Sequence, residues 1–329
     1  MSQIRLLTEA ELRAAVTLDQ EALECIAQGF LALAAGGVVM PPILSLPVAA
    51  ANGEIDVKSA YIPGLGSIAV KVSTGFYNNP LLGLPSSSGL MVLLSAATGQ
   101  PEAVLLDNGY LTDLRTAAAG ALAARVLSRE DASTVCVVGT GIQARLQLQA
   151  LLLVRPIQRV VFWGRDHQKA LAAAAEVQDA LALQACAERE IHKAIAQADI
   201  VVTATPSTSP LLKAEWLRPG MHVTAVGADG HGKCELEPAC LVRADLYVPD
   251  RLAQTRIRGE LAAAIAVGRV SEQAKFPELG AVLAGSAPGR TAAQQITIAD
   301  LTGTGAQDTA IAVFARARCE ARGAGILVS

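Results

Sequence analysis

The first third of the chain changes from a helical to a strand-like pattern of hydrophobic positions. Thr8 and Glu11 have the spacing of a capping box, which predicts that a first helix opens at Thr8. A second helix is predicted over residues 19–35, because Gly36 follows its last periodic position. From residue 38 to residue 106, short apolar runs alternate with Gly, Pro and Asn turns, which predicts an antiparallel sheet.

The rest of the chain alternates apolar strands with helical segments. Thr112 is predicted to cap an Ala-rich helix that reaches about Leu127. Beyond it, the alternation indicates parallel βαβ units and a doubly wound sheet, with a closing helix after Gly303. The predicted strands cover residues 134–138, 159–163, 200–204, 222–226, 246–248 and 295–299, with helices over 143–153, over 168–182 and around residue 191.

Composition narrows the class of protein. The 329 residues are 52% hydrophobic and 17% charged, with a net charge of -3, which is typical of a globular protein with a large core. Basic residues are scattered, so we expect no nucleic-acid partner. Residues 72–101 carry no charge, but Pro and Gly interrupt them, so buried strands and turns are expected there rather than a membrane span.

Cysteine and histidine usage argues against disulfides and metal sites. The six Cys are unevenly spaced without a CxxC pair, and the four His show no paired ligand spacing. The N-terminus lacks the apolar core of a signal peptide. We therefore expect a cytoplasmic protein with reduced thiols and no metal.

The strongest local signal is a glycine-rich turn between a predicted strand and a predicted helix. In this context Gly139 permits the tight turn, Gly141 lets the backbone approach a pyrophosphate, and Ala144 lets the helix pack closely. The free N–H groups of the helix N-terminus then face the anion. The predicted dinucleotide-binding residues of this turn are Gly139, Thr140, Gly141, Ile142, Gln143 and Ala144.

The next strand bears on which dinucleotide binds. NAD sites usually carry an acidic residue at this strand end, whereas an Arg suits the 2′-phosphate of NADP. Here Gly164 occupies the strand end and Arg165 follows it, which favours NADP(H). Asp166 is two residues from Gly164, so NAD(H) remains open.

Several other segments share one resemblance. They read GEIDVKSAY at residues 53–61, AVKV at 69–72, GYLTDLRTAA at 109–118, VGADGHGKCEL at 226–236, and ADLTG at 299–303 with QD at 307–308. Together they resemble the ornithine cyclodeaminase/mu-crystallin family over nearly the whole chain. The 53–61 segment and DNGYLTD at 107–113 are most similar to the cyclodeaminase-type proteins of ectoine utilisation.

The resemblance implies a domain plan. Residues 1–120, with the C-terminal helix at 306–329 packing back on them, are expected to form a mixed α/β domain for substrate binding and dimerisation. Residues 121–305 are expected to form a Rossmann-type dinucleotide-binding domain with a doubly wound parallel sheet. The resemblance also implies a homodimer, with the uncharged 72–101 region at its interface.

The family's shared chemistry is hydride exchange between a nicotinamide and the α-carbon of an amino or imino acid. One interpretation is redox-neutral cyclodeamination of a diamino acid, as in ornithine cyclodeamination or ectoine degradation. Another is net reduction of a cyclic ketimine such as Δ1-pyrroline-2-carboxylate, or an alanine-dehydrogenase-like reaction. A third is a catalytically silent, NADPH-binding protein like a crystallin, against which the presence of the candidate residues argues.

The resemblance assigns individual roles. Lys71 and Arg115 are expected to bind the substrate carboxylate, a task that suits the guanidinium fork. Asp229 matches the family's catalytic carboxylate, and a carboxylate beside the substrate nitrogen stabilises an iminium and moves protons. Lys71 also counts as a catalytic candidate, and Thr116 is assigned to the cofactor site. The plainer alternatives are a strand-edge cation, a helix brace and a turn former, respectively, for Lys71, Arg115 and Asp229.

Other positions are less specific. Asp56 falls where cyclodeaminases carry a Glu for the side-chain amine, and Lys58 shares its strand face, so the two form either a substrate-binding unit or an ordinary salt bridge. His231, in a slot where relatives often have Pro, is an extra acid/base group or, on the favoured interpretation, a surface-loop residue. No Arg stands near residues 40–42, where many relatives carry one, which argues against ornithine itself as substrate.

Overall fold

The computed structural model describes residues 3–329, which divide into two compact units. Unit 1 comprises the chain up to Arg115 together with Thr304–Ser329, and unit 2 comprises Thr116–Gly303. Both are α/β, which confirms the predicted fold class. The regular elements of unit 1 are β1 (Ile4–Thr8), α1 (Glu9–Ala15), α2 (Gln20–Ala35), β2 (Leu44–Val48), β3 (Gly53–Ala60), β4 (Ser67–Phe76), β5 (Ser87–Ser95), β6 (Pro101–Leu106), the start of α3 (Tyr110–Leu127), α11 (Gly305–Ala321) and β14 (Ile326–Val328).

Unit 1 is built on a seven-stranded mixed sheet. Its strand order is β14-β1-β6-β5-β4-β3-β2. From β6 to β2 the neighbours are antiparallel, as the alternation of short apolar runs and turns predicted. β1, which the sequence pattern did not predict, runs parallel to β6 and antiparallel to β14.

The helix starts of unit 1 follow local sequence signals. The side chain of Thr8 accepts from the backbone N–H of Glu11, and Glu11 Oε2 accepts from Thr8 N at 2.9 Å, so the predicted capping box is confirmed. Asp19 caps α2 by accepting from Ala22 N, and Gly36 ends it with φ 84°. The predicted cap at Thr112 is wrong: α3 already begins at Tyr110, because the Asp107 carboxylate accepts from Leu111 N at 2.9 Å.

Close backbone approach places α11 against the sheet of unit 1. A Cβ on Gly305 would clash with the Ser59 carbonyl of β3, and one on Gly29 of α2 would lie 3.4 Å from Ala306 O. Thr309 Oγ1 donates to Ala60 O at 2.9 Å. Small residues therefore bring the first turns of α11 onto β3. The side chain of Asp308, which immediately precedes Thr309, is fully buried there.

Unit 2 contains the rest of α3 and a series of short parallel strands. Most predicted bounds shift by one or two residues, the last strand lying at 297–300 instead of 295–299. Its further elements are β7 (Thr134–Val138), α4 (Ile142–Leu152), β8 (Arg159–Trp163), α5 (His167–Leu181), β9 (Gln184–Ala187), α6 (Ile191–Ile195), β10 (Ile200–Thr203), β11 (His222–Ala225), α7 (Ala239–Arg243), β12 (Leu246–Pro249), α8 (Leu252–Thr255), α9 (Glu260–Ala266), α10 (Leu279–Leu283) and β13 (Thr297–Asp300).

The sheet of unit 2 is parallel and doubly wound. Its order is β12-β13-β11-β10-β7-β8-β9, so the chain moves outward through β8 and β9 and then returns to the other side of β7. The switch point lies between β7 and β10, where doubly wound folds place their ligands at the carboxyl ends of the strands. The predicted glycine-rich turn leaves β7 at this point.

The sequence predicted no membrane span over residues 72–101 and reduced cysteines. None of the helices within residues 3–329 combines the length and hydrophobicity that a membrane crossing requires. All six cysteines are free thiols, four of them buried, as expected for reduced thiols.

Candidate active site

The glycine-rich turn of unit 2 has the geometry of a dinucleotide site. Gly139 has φ 134°, and a Cβ there would lie 2.6 Å from Ala204 O of the strand end across the switch point. Gly141 faces open space, with no atom within 4 Å of where its Cβ would be. Ala144, in the first turn of α4, is fully buried. The turn thus leaves room for a pyrophosphate beside the free N–H groups of an 11-residue helix.

The remaining predicted cofactor residues surround the same turn. Thr140 and Gln143 are half-buried, and Ile142 is exposed, so its apolar side chain is open to a ligand. Thr116 lies in α3, where its carbonyl accepts from Gln147 Nε2 of α4 at 3.0 Å. A Cβ on Gly120 would clash with that Gln147 side chain, so the glycine permits the bridge between the two helices.

The end of β8 separates the roles of Arg165 and Asp166. Asp166 is the N-cap of α5, its carboxylate accepting from Gln168 N at 2.9 Å and Lys169 N at 3.3 Å. Arg165 is exposed at the same strand end. Asp166, three positions past the end of β8, is therefore already engaged in capping its own helix.

Asp229 lies in the loop that follows β11. Its side chain is 51% exposed, and Oδ1 accepts from Lys233 Nζ at 2.8 Å. The buried Arg258 donates to the Asp229 carbonyl at 3.2 Å, which fixes the backbone of the loop. His231 is exposed, as a surface-loop residue would be.

A buried carboxylate, Glu235, holds this loop to the sheet. It accepts from Thr203 Oγ1 at 2.7 Å, from Thr205 N and Oγ1 at 2.6 and 2.7 Å, and from Gly227 N at 2.8 Å. Burial raises the pKa of Glu235, which these hydrogen bonds oppose. The carboxyl ends of β10 and β11 are thereby joined through one side chain.

Two further acids continue this buried network. Glu260 accepts from Glu235 N at 2.9 Å and Leu236 N at 3.1 Å, and its own backbone N–H donates to Asp300 Oδ2 at 2.9 Å. Burial raises the pKa of Asp300 to about 7 and that of Glu260 well above its usual range. Nowhere in residues 3–329 do three or more His, Cys, Asp or Glu side chains form a group that could hold a metal ion.

Unit 1 brings together the predicted carboxylate-binding residues. Lys58 and Lys71 are register partners on β3 and β4, and both are buried, Lys71 to 1% exposure. Arg115, on α3, is 6% exposed. Lys71 Nζ lies 3.0 and 2.9 Å from the two carboxylate oxygens of Asp308, and Arg115 Nε lies 3.0 Å from Asp308 Oδ1. Two buried cations thus share one carboxylate.

This arrangement shifts the ionisation of the paired groups. Burial, together with the neighbouring charges of Arg115 and Lys58, lowers the pKa of Lys71 to about 7, although Asp308 opposes the shift. Burial alone would raise the pKa of Asp308, but Lys71 and Arg115 outweigh it and hold that pKa below its usual range. Asp308 is therefore a permanent negative charge at neutral pH.

Asp56 lies on β3, two residues from Lys58, and is half-buried. Its carboxylate accepts a hydrogen bond from Ser45 of β2. The predicted residues therefore fall into two sets: Asp56, Lys58, Lys71 and Arg115 belong to unit 1, whereas Asp229, Arg165 and the glycine-rich turn belong to unit 2.

Asp308 and Glu235 received no role from the sequence, although both lie in segments that carry the resemblance. Their signal is an acidic residue inside an otherwise apolar or glycine-rich segment, since a buried charge requires partners. Identifying those partners requires the fold, because Lys71 and Asp308 are 237 positions apart.

The sheet order and the open glycine turn define a dinucleotide-binding fold, and unit 1 contains a buried cluster of one carboxylate and two cations. The family model of the ornithine cyclodeaminase/mu-crystallin family matches residues 3–323, and the chain belongs to that family. It is an enzyme of amino-acid or imino-acid chemistry with a nicotinamide dinucleotide as its cofactor.

Individual relatives are similar over almost their whole length. RB0419 of Rhizobium meliloti, named as a presumed dehydrogenase, is 58% identical over 99% of this chain and 98% of its own. The uncharacterised cyclodeaminase y4tK of Sinorhizobium fredii is 54% identical over 99% of both chains. The Thermococcus litoralis Δ1-pyrroline-2-carboxylate reductase, solved with NADH and L-proline, is 28% identical with a TM-score of 0.93, covering 99% of this chain and 100% of its own.

Proposed function

We propose that the enzyme exchanges a hydride at the α-carbon of an amino or imino acid whose carboxylate binds at Arg115. The observation that carries the proposal is the buried pair of cations, Lys71 and Arg115, which both lie within ion-pair distance of one carboxylate, Asp308. A buried excess charge is costly, so an anionic ligand stabilises it. The carboxylate of an amino or imino acid supplies that anion.

Arg115 is the group best placed to bind the carboxylate directly. Its Nε lies 3.0 Å from Asp308 Oδ1, and we assign to its terminal amino groups a two-point hydrogen bond with the substrate carboxylate. Lys71, with 1% of its surface exposed, contributes a second positive charge to the same substrate carboxylate. Asp56 and Lys58, on the neighbouring strand, would then contact the substrate side chain.

The cofactor supplies the hydride chemistry, and the protein binds and orients. We assign to Asp229 the holding and moving of the proton of the substrate nitrogen, because its carboxylate is half-exposed at the end of β11. Lys233 Nζ, which donates to Asp229 Oδ1 at 2.8 Å, would hold that carboxylate in position.

Two reactions fit this site, cyclodeamination of a diamino acid and net reduction of a cyclic imine. The first returns the hydride and releases ammonia, whereas the second consumes reduced cofactor. RB0419 is named as a dehydrogenase, which favours net redox chemistry, whereas y4tK is named as a cyclodeaminase, which favours the first reaction. The complex of the Thermococcus enzyme with L-proline supports a small cyclic amino acid as ligand.

One assay separates the two reactions. Purified protein would be mixed with NADPH or NADH and a panel of cyclic imino acids, with diamino acids and oxidised cofactor in parallel, while absorbance of the reduced nicotinamide and ammonia are followed. Stoichiometric loss of reduced cofactor identifies an imine reductase. Ammonia release without net cofactor change identifies a cyclodeaminase. Turnover of no substrate in either direction would contradict the proposal.

We further propose NADP(H) as the preferred cofactor. Asp166 caps its own helix while Arg165 is exposed at the end of β8, the arrangement that suits a 2′-phosphate. Arg165→Ser should weaken NADPH binding by about tenfold and leave NADH binding unchanged, since one charged hydrogen bond is worth about 1.5 kcal/mol. Equal losses for both cofactors in a fluorescence titration would refute the preference.

A homodimer is also proposed. The turn between β4 and β5 exposes several leucines, Leu81 to 86%, and such exposed apolar patches usually mark interfaces. The six free thiols agree with a cytoplasmic location, which we propose as well.

A further inference from the structure

Asp308 is the only carboxylate that the described residues place in ion-pair contact with both Lys71 and Arg115. It lies in the first turns of α11, a 17-residue helix whose start is fixed by a capping box between Thr304 and Gln307. A carboxylate near a helix N-terminus is further stabilised by the helix dipole. The side chain therefore has a fixed position and a fixed charge.

The two contacts of Asp308 differ in kind. Lys71 Nζ lies within 3.0 Å of both carboxylate oxygens, so the ammonium is centred on the carboxylate. Arg115 Nε lies 3.0 Å from Oδ1, at an ion-pair distance without a hydrogen bond. The guanidinium of Arg115 is therefore drawn to one side of the carboxylate that Lys71 occupies centrally.

We propose that Asp308 is a positioning residue of the substrate site, which sets the orientation of the Arg115 fork and keeps Lys71 ready as a cation for one substrate carboxylate. This inference rests on the proposed function, because it assigns the anion that the pair receives. It adds a residue that does not touch the substrate and acts through the two that do.

The charges around Lys71 give the inference a measurable consequence. Lys58 from β3 and Arg115 from α3 oppose protonation of Lys71, whereas Asp308 from α11 and Asp107 from the loop before α3 favour it. On β5, its register partner is the uncharged Met91. Removing the charge of Asp308 therefore lowers the pKa of Lys71 further, and the cation is lost at a lower pH.

The test is carboxylate binding as a function of pH, because it needs no turnover. The probe is pyrrole-2-carboxylate, a ring carboxylate without a basic nitrogen, titrated calorimetrically into the protein saturated with reduced cofactor between pH 5.5 and 9. Wild-type affinity should fall as the pH rises through about 7, where Lys71 loses its proton. In Asp308→Asn the midpoint of this fall should move at least about one unit towards acid, a tenfold change in the protonation equilibrium.

Two variants distinguish positioning from a merely structural role. Asp308→Glu keeps the negative charge, and its binding midpoint should lie close to that of the wild type. This variant also provides the test if Asp308→Asn folds poorly. Thr309→Val alters the next residue of α11, which bonds Ala60 O and touches neither cation. It should lower stability and leave the midpoint in place.

The outcomes separate the two proposals. If the wild type binds the probe and both Asp308 variants keep its affinity and midpoint, the positioning role is overturned while the proposed function stands. If the wild type binds neither the probe nor any amino or imino acid, the proposed function fails. An acid shift in Asp308→Asn that Asp308→Glu reverses supports the inference.

Discussion

Both units bury carboxylates, but they stabilise them in opposite ways. In unit 1, Asp308 contacts two cations, and its pKa lies below the usual range. In unit 2, Glu235 and Asp300 are as deeply buried, yet their hydrogen-bond partners are backbone N–H and hydroxyl groups, and the pKa of each is raised.

The difference shows that burial does not by itself decide the direction in which the pKa of a carboxyl group shifts. Burial raises the pKa of all three groups, and only the paired cations of unit 1 reverse its sign. Unit 1 thus keeps a permanent negative charge that is paired with two cations. Unit 2 uses its carboxyl groups as multiple acceptors that join loops.

The largest expected effect is on stability, in unit 2. Glu235→Ala leaves the Thr203 hydroxyl and the N–H groups of Thr205 and Gly227 without their acceptor. Each unsatisfied buried group costs about 1–3 kcal/mol, so we expect a loss of about 4 kcal/mol in the free energy of unfolding. Urea unfolding measures it, with Glu235→Gln as the control that retains an acceptor oxygen. A loss below about 1 kcal/mol would mean that Glu235 does not join the loops.

A smaller effect concerns pH. Because the pKa of Asp300 rises from its ordinary value of 3.8 to about 7 on folding, the folded state retains a proton between these two pH values. Its contribution to stability is therefore present at low pH and is lost as the pH rises from about 4 to about 7. Asp300→Asn keeps an oxygen for Tyr247 and Glu260 N, and should remove on the order of 2 kcal/mol of this pH dependence.

Thermal melts of the wild type and Asp300→Asn across pH 4 to 8 provide the measurement. The wild-type curve should fall more steeply than that of Asp300→Asn between about pH 4 and 7, and above this range both should follow the slope left by Glu260 and Glu235, whose pKa values are also raised. Parallel curves over the whole range would show that Asp300 is ionised throughout.

The smallest stability effect is expected in unit 1. Lys71→Met removes one of two cations from a pair that shares Asp308, and Arg115 remains to neutralise the carboxylate. We expect a change below about 1 kcal/mol in the free energy of unfolding, since an excess buried charge is lost as well. Turnover should nevertheless fall by at least about a hundredfold, as for the loss of a charged substrate contact. A destabilisation as large as that of Glu235→Ala would erase the contrast between the units.

Most structural features that depend on neighbours in the chain could be predicted from the sequence. The capping box at Thr8, the stop at Gly36 and the turn at Gly139 follow from local backbone requirements, and each was predicted. The wrong cap at Thr112 is also local: Asp107, three residues upstream of Tyr110, supplies the acceptor instead.

The partners of the buried charged residues could not be predicted from the sequence pattern. Lys71 was predicted to need a partner, but that partner lies on the closing helix, brought to β4 by the close approach of Gly305 to β3. Glu235 similarly joins strand ends up to 32 positions away. Such contacts depend on the packing of whole elements, which no spacing along the chain encodes.

The central claim is that hydride moves to the α-carbon of a carboxylate held at Arg115. Transfer of deuterium from the C4 position of deuterated NADPH or NADH to a cyclic imino acid, followed by mass spectrometry and NMR of the product, tests it most directly. Wild-type protein should place deuterium at the α-carbon, and Arg115→Ala should place none while still binding the reduced cofactor. Deuterium at the α-carbon with equal yield from Arg115→Ala, or none from the wild type with any substrate of the panel, would contradict it.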